Sequence, residues 1–251
     1  MKEFKNLDVQ VFPSREEMGQ AAGNDVEKQI VALLEKKESI RMVFAAAPSQ
    51  NEALASLVRS TKIDWQRITA FHMDEYIGLD STDSRSFAGF LNEKIFQQVP
   101  FRQVHLLDGN KPAETVTRYS KLLSEAPIDI VCLGIGENGH IAFNDPPVAD
   151  FHDLKLVKRV TLDWACRNQQ VNDGCFPTLD EVPTEAITLT IPALMRADYL
   201  FCIVPGKTKR QAVYNTLNGP ITEECPASIL RTHTHCKFYF DEDSFGSEQY
   251  N

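Results

Sequence analysis

The sequence predicts an α/β fold: a Rossmann-like, three-layer arrangement with a mainly parallel central sheet and a small lid. Three observations lead there. Short apolar runs alternate with segments of helical period along the 251-residue chain, the pattern of a parallel sheet covered on both faces. The length suits one domain, residues 1–251, with a lid over about residues 150–183. Polar residues gather directly after the apolar runs, at the strand ends where such sheets bind ligands.

The elements follow in order. Residues 7–12 (Leu-Asp-Val-Gln-Val-Phe) read as a strand. Ser14 then caps a helix, with Glu16 and Glu17 in its first turn and apolar residues at helical spacing through Leu34. Residues 42–45 form a second strand; Ser49 opens the next helix, with Glu52 completing an S-x-x-E capping box. Residues 68–71 are a third strand and residues 128–133 a fourth. Residues 187–191, 199–204 and 238–240 supply three more, and a helix runs from Gln211 to Leu217. The polar stretch from Cys166 to Val182 has no strand pattern and belongs to the expected lid.

The richest segment is Gly134-Ile135-Gly136-Glu137-Asn138-Gly139-His140-Ile141-Ala142-Phe143-Asn144-Asp145-Pro146-Pro147. It contains G-x-G-x-x-G, but a dinucleotide fingerprint needs those glycines to open a helix. Pro146 and Pro147 follow too soon, and an interior proline costs a helix ~3 kcal/mol. The segment instead brings an amide, an imidazole and a carboxylate together after a buried strand. His140 is a candidate proton carrier, with Asp145 placed to orient its ring and Asn138 placed to hydrogen-bond either a sugar hydroxyl or the same imidazole.

Three other strand ends add candidates. Asp74 and Glu75 follow the third strand; in extended backbone only one of them faces the substrate. Ser49 sits at a helix N-terminus, where free N–H groups attract anions. Lys207, Lys209 and Arg210 crowd another helix start, a placement the helix dipole disfavours unless an anion is bound.

Composition narrows the partners. A formal net charge of −9 disfavours nucleic acid and anionic membranes. No apolar run approaches ~18 residues, so no membrane span is expected, and the first residues lack the apolar core of a signal peptide. The cytoplasm is the expected location. Six cysteines without CxxC spacing read as reduced, mostly buried thiols. Neither His72, Asp74, His140 and Asp145 nor the group His233, His235 and Cys236 shows a paired zinc spacing, so neither a metal nor a cofactor is expected.

At these residues the chain resembles the glucosamine-6-phosphate deaminase/isomerase family, sister to the 6-phosphogluconolactonases. Met73-Asp74-Glu75-Tyr76-Ile77-Gly78-Leu79 matches the family's MDEYxGL, and residues 136–146 match its G-x-[DN]-G-H-I-[AG]-F-N-E-P. The resemblance implies a cofactor-free reaction of amino sugar metabolism and N-acetylglucosamine catabolism, counted by convention among hydrolases. An amino sugar 6-phosphate, glucosamine or galactosamine, becomes the ketose 6-phosphate plus ammonia. It implies ring opening by His140, held by Asn138 and Asp145, and transfer of the C2 proton by Asp74. Substrate contacts are implied at Ala46, Ala47, Ser49, Gln50, Glu75, Gly136, Gly139, Arg167 (the lid arginine) and Lys209 (the phosphate lysine). A homo-oligomer is left open.

The chain also departs from the family. Residues 45–50 (Ala-Ala-Ala-Pro-Ser-Gln) replace a PTGGTP-like phosphate loop. Asp145 replaces a Glu one methylene longer, which makes its reach to His140 the point to test. The stretch 166–183 is longer than its counterpart, and residues 150–158 lack the Ser/Arg pattern of the family's activator site, so no activation by N-acetylglucosamine 6-phosphate is expected. Two further readings stay open: a lactonase using His140 as a base toward water, and a sugar-phosphate-binding protein without activity.

Overall fold

A computed structural model of the chain describes residues 7–246. The first six residues, read above as lacking a signal segment, lie outside the described residues. In chain order the strands are β1 (Asp8–Phe12), β2 (Ile40–Phe44), β3 (Ile68–His72), β4 (Asp74–Tyr76), β5 (Gln103–His105), β6 (Ile130–Leu133), β7 (Val157–Thr161), β8 (Glu185–Leu189), β9 (Tyr199–Val204) and β10 (Cys236–Asp241). The helices are α1 (Arg15–Leu34), α2 (Asn51–Val58), α3 (Phe87–Leu91), α4 (Pro112–Glu125), α5 (Trp164–Asn172), α6 (Ile191–Met195), α7 (Arg210–Asn218) and α8 (Glu242–Phe245).

Seven strands form the central sheet in the order β1-β10-β9-β6-β2-β3-β5. All of its neighbouring pairs run parallel. Alternate residues of each strand feed two cores. Met42 and Phe44, Ile130 and Cys132, and Phe201 and Ile203 pack with α1 and α2 on one face. Val43, Val131 and Leu133, and Leu200 and Cys202 pack with α6 and α7 on the other. A strand buried on both sides must be apolar throughout, which is why these runs were legible in the sequence.

The winding fixes where a ligand sits. From β2 the chain steps outward to β3 and β5, then returns to lay β6 on the other side of β2 and proceeds to β9 and β10. The strand order reverses between β2 and β6. The loops leaving those two strands diverge, opening a crevice at the carboxyl edge of the sheet.

Three sequence expectations change. Residues 187–191 are not a central strand: β8 joins a separate antiparallel sheet, ordered β4-β8-β7. Ser49 does not cap a helix. Residues 48–50 form one 3-10 turn after Ala47, and Glu52 pairs with Arg15 at 2.8 Å instead of closing a capping box. Within the segment expected as a lid, residues 157–161 are the strand β7. The patternless residues after it include α5, whose N-cap Asp163 accepts the Cys166 N–H at 2.7 Å. The Ser14 cap of α1 forms as expected, accepting the Glu17 N–H at 3.1 Å. No helix among the described residues is long and apolar enough to cross a membrane.

Candidate active site

A cavity of about 200 Å³ opens at the crevice between β2 and β6. Four strand ends supply its walls: residues 45–49 after β2, Met73 and Asp74 after β3, residues 134–136, His140, Ala142 and Phe143 after β6, and Pro205, Gly206, Thr208 and Lys209 after β9. Gln169, Gln170 and Asp173 come from α5 and its C-cap, and Arg15 from the first turn of α1.

Asp74 is set by backbone pairing. In β4, Asp74 lies opposite Thr188 and Glu75 opposite Ile187 of β8, so the two carboxylates take opposite faces. Asp74 lines the cavity. Glu75 does not: its oxygens accept the N–H groups of Tyr76, Phe87 and Ala88 at 2.9, 3.0 and 2.8 Å. Glu75 therefore anchors the start of α3 and is not placed to touch substrate, a correction to the sequence reading. The reason is that exposed helix N–H groups capture the nearest carboxylate. Behind Asp74 stands a brace that the sequence reading weighed only as a metal ligand. The His72 Nδ1 donates to the Asp74 carbonyl at 2.9 Å, and its Nε2 accepts the Leu107 N–H at 2.8 Å. Burial lowers the His72 pKa to about 4, which keeps the ring neutral with one donor and one acceptor.

His140 is held from behind. Its Nδ1 lies 2.8 Å from the Asn138 Oδ1 and 2.9 Å from the Asp145 Oδ1. The Asn138 amide donates in turn to Asp145 at 2.9 Å. Two acceptors at Nδ1 place the proton there and leave the Nε2 lone pair for the cavity. Asp145 thus reaches the imidazole in spite of its shorter side chain. Burial raises its pKa, but the His140 charge and hydrogen bonds from His140, Asn138 and Cys166 outweigh this and hold it below the usual carboxylate range. Asn138 and Asp145 do not line the cavity; they act through His140.

β8 sets the spacing of the two groups. Its Leu189 N–H donates to the Met73 carbonyl at 2.7 Å, while Leu189 and Thr188 accept the Asn144 amide at 2.9 Å and the Phe143 N–H at 3.1 Å. One strand therefore holds both the Asp74 segment and the His140 loop. The loop needs special backbone: Gly139 has φ +87°, and a Cβ there would meet the Cys225 Sγ at 2.8 Å. Gly139 serves the turn and lies off the cavity. Ala142, which lines the cavity, also sits in the left-handed region at φ 48°, local strain of the kind that collects at functional sites.

Electrostatics divide the cavity. Asp74 is buried, and burial with the nearby charges of Glu75 and Asp145 raises its pKa well above the ordinary value. At the other end Lys209 is 6 % exposed, and its Nζ has no hydrogen-bond partner among the described residues. Its nearest opposite charge is Asp173, at 4.0 Å. Burial lowers its pKa, opposed by Asp173 and Glu137. A buried ammonium without a hydrogen bond is costly, and it marks a place for an anion.

The remaining expected contacts divide. Ala46, Ala47, Ser49 and Gly136 line the cavity. Gln50 does not: its amide is directed at the Leu133 and Ile203 carbonyls at 3.4 and 3.2 Å, tying β6 to β9. Arg167 also points elsewhere, donating to the Leu179 and Val182 carbonyls at 2.6 and 3.0 Å. Those turn carbonyls satisfy its guanidinium, so it is not a cavity arginine. Arg15, Gln169, Gln170 and Asp173 were missed. Only Arg15 left a signal: a cation at the first position of a helix opposes the dipole.

A ring nitrogen of His140, a carboxylate oxygen of Asp145 and the Cys166 Sγ lie within 4.8 Å of one another. Of these groups, Asp145 Oδ1 is already engaged by His140 and by the Asn138 amide, and burial pushes the Cys166 thiol pKa far up, so the thiol resists the deprotonation a metal ligand needs.

A test of the His140 pose follows from Gly136. A Cβ there would fall 2.2–2.4 Å from the imidazole atoms, so Gly136→Ala must displace a ring held by two partners. We expect kcat/KM to fall about 10²-fold, the cost of a ~1 Å misplacement, with far-ultraviolet circular dichroism unchanged. Activity within threefold of wild type would mean that the ring is not used where it sits.

Residues 13–239 match the model of the glucosamine-6-phosphate isomerase/6-phosphogluconolactonase family. A glucosamine-6-phosphate deaminase of Streptococcus gordonii is 34% identical over 225 residues, 88% of this chain and 94% of its own. One from Bacillus cereus is 30% identical over 240 residues, 95% of this chain and 88% of its own. Among solved structures, a monomeric glucosamine-6-phosphate deaminase superposes with a TM-score of 0.85 at 29% identity, covering 96% of this chain and 99% of its own. A 6-phosphogluconolactonase from Shewanella baltica reaches 0.77 at 15% identity, over 95% and 99% of the two chains, a likeness of fold.

Proposed function

The chain belongs to the glucosamine-6-phosphate isomerase/6-phosphogluconolactonase family, and from that premise we propose an amino sugar phosphate deaminase. It converts glucosamine 6-phosphate to fructose 6-phosphate and ammonia. The observation that carries this reading is one cavity lined by a buried carboxyl (Asp74), an imidazole with its Nδ1 side occupied (His140) and a hydrogen-bond-free ammonium (Lys209).

The residues take these roles. Lys209 and the Ser49 segment receive the phosphate, which fixes the sugar with C1 and C2 toward Asp74 and His140. His140 Nε2 takes the proton from the C1 hydroxyl and passes it to the ring oxygen, opening the ring. The new aldehyde acidifies C2–H, and Asp74 takes that proton and returns it to C1. The C2 imine left behind adds water and releases ammonia. Burial raises the Asp74 pKa well above its ordinary value; the substrate's C2 ammonium, arriving beside it, favours the carboxylate needed for catalysis. A phosphorylated lactone brings no ammonium at C2, which separates this reading from a lactonase. We assign the lid role to α5 and the loop after it, and the cytoplasm as the location, since a phosphorylated sugar does not cross a bilayer unaided.

The direct test is ammonia release from glucosamine 6-phosphate and, separately, galactosamine 6-phosphate. Release from glucosamine 6-phosphate supports the reading, and release from galactosamine 6-phosphate alone corrects the sugar. Release from neither refutes it. Lys209→Ala should raise KM by roughly 10–100-fold, the worth of a charge-assisted hydrogen bond to phosphate. An unphosphorylated amino sugar should be affected less, and equal loss on both would contradict the phosphate role.

A further inference from the structure

We infer that Arg15 is the second phosphate-binding cation of the cavity and sets its preference for a phosphorylated sugar; this rests on the proposed sugar-phosphate site. The case begins with what residues 45–49 lack. That segment has no glycine, and Pro48 has no N–H, so it offers fewer backbone donors to an anion than a glycine loop. Arg167 is turned away toward the carbonyls of Leu179 and Val182. Lys209 is shared with Asp173 at 4.0 Å, which weakens its pull on a dianion.

Arg15 is the other cation among the cavity-lining residues, and it is held in place. Its Nε donates to the Glu52 Oε1 at 2.8 Å, and one terminal nitrogen donates to the Pro48 carbonyl. The guanidinium is thereby fastened to the segment that the phosphate would touch. Its remaining N–H donors are free to take phosphate oxygens, a geometry a planar fork suits better than an ammonium. Arg15 opens α1 against the helix dipole, a cost an anionic ligand offsets.

Steady-state kinetics on Arg15→Ala and Arg15→Lys test this, with binding of sorbitol 6-phosphate measured by calorimetry. Sorbitol 6-phosphate has the phosphate but no aldehyde and no amine, so it reads the phosphate site whether or not ammonia is made. The expected result is a 10–100-fold rise in KM and in the sorbitol 6-phosphate Kd for Arg15→Ala. The loss should fall on KM rather than kcat, with partial recovery in Arg15→Lys. If wild-type protein makes no ammonia but binds sorbitol 6-phosphate through Arg15, the proposed chemistry fails and this inference stands. A Kd within twofold of wild type in Arg15→Ala, or no binding of sorbitol 6-phosphate by wild-type protein, overturns it. So does a loss of kcat alone, and so does a thermal midpoint low enough to show the variant unfolded while Arg15→Lys binds no better.

Discussion

Asp74→Asn lowers kcat by ~10²–10⁴ while KM changes little, the usual worth of a placed general base. Asn keeps the shape and the β4–β8 pairing, because the ladder uses backbone groups. It cannot take the C2 proton. The pH dependence supplies a second reading. Since Asp74 titrates well above 3.8, wild-type kcat/KM should decline toward acid from a limb above the ordinary carboxylate range. The same shift acts on stability. The folded protein keeps a proton on Asp74 that the unfolded chain releases above 3.8, so stability falls as pH rises from there toward the folded value. Asn removes that loss. The thermal midpoint of Asp74→Asn should therefore exceed that of wild type, by a margin that grows as pH rises above about 4. Activity within a few-fold of wild type would remove Asp74 from the mechanism. A midpoint difference that shrinks with pH would contradict the buried neutral carboxyl.

His140→Ala is the second large loss, again ~10²–10⁴ in kcat. Among the described residues the ring is hydrogen-bonded only through Nδ1, to Asn138 and Asp145, so truncation leaves those two partners and an imidazole-sized space. Added imidazole should therefore restore part of the activity, and a purely structural loss would not respond. If His140 opens the ring, the residual rate in the variant should follow the supply of open-chain sugar and saturate poorly with closed-ring substrate. A variant with wild-type kcat would show that ring opening does not depend on this side chain.

These roles were unequally legible in the sequence. The central strands declared themselves because burial on both faces leaves apolar runs. β4 and β5, with three residues each, are too short to carry a period, and β7 (Val-Lys-Arg-Val-Thr) mixes faces at a sheet edge. Asp74 and His140 stood out because a carboxylate and an imidazole followed buried strands. Glu75, one residue from Asp74, looked equally chemical and is instead a helix anchor. Arg167 looked like a lid arginine reaching the substrate and is bonded to a turn. Gln169, Gln170 and Asp173 left no signal, since α5 is polar nearly all round and its inner face is known only from what it covers.

The sequence alone determined the fold class, the four strand ends that line the cavity and the two residues proposed to move protons. These depend on local chemistry and on burial, both written in the order of residues. Which face each side chain takes, which cations line the cavity, and that β8 holds Asp74 and His140 in one frame were decided only by the tertiary structure. They depend on pairings such as Asp74 with Thr188 and contacts such as Arg15 with Glu52, between segments far apart in the chain. No local pattern encodes such a pairing, because each partner is chosen by what the folded chain brings beside it.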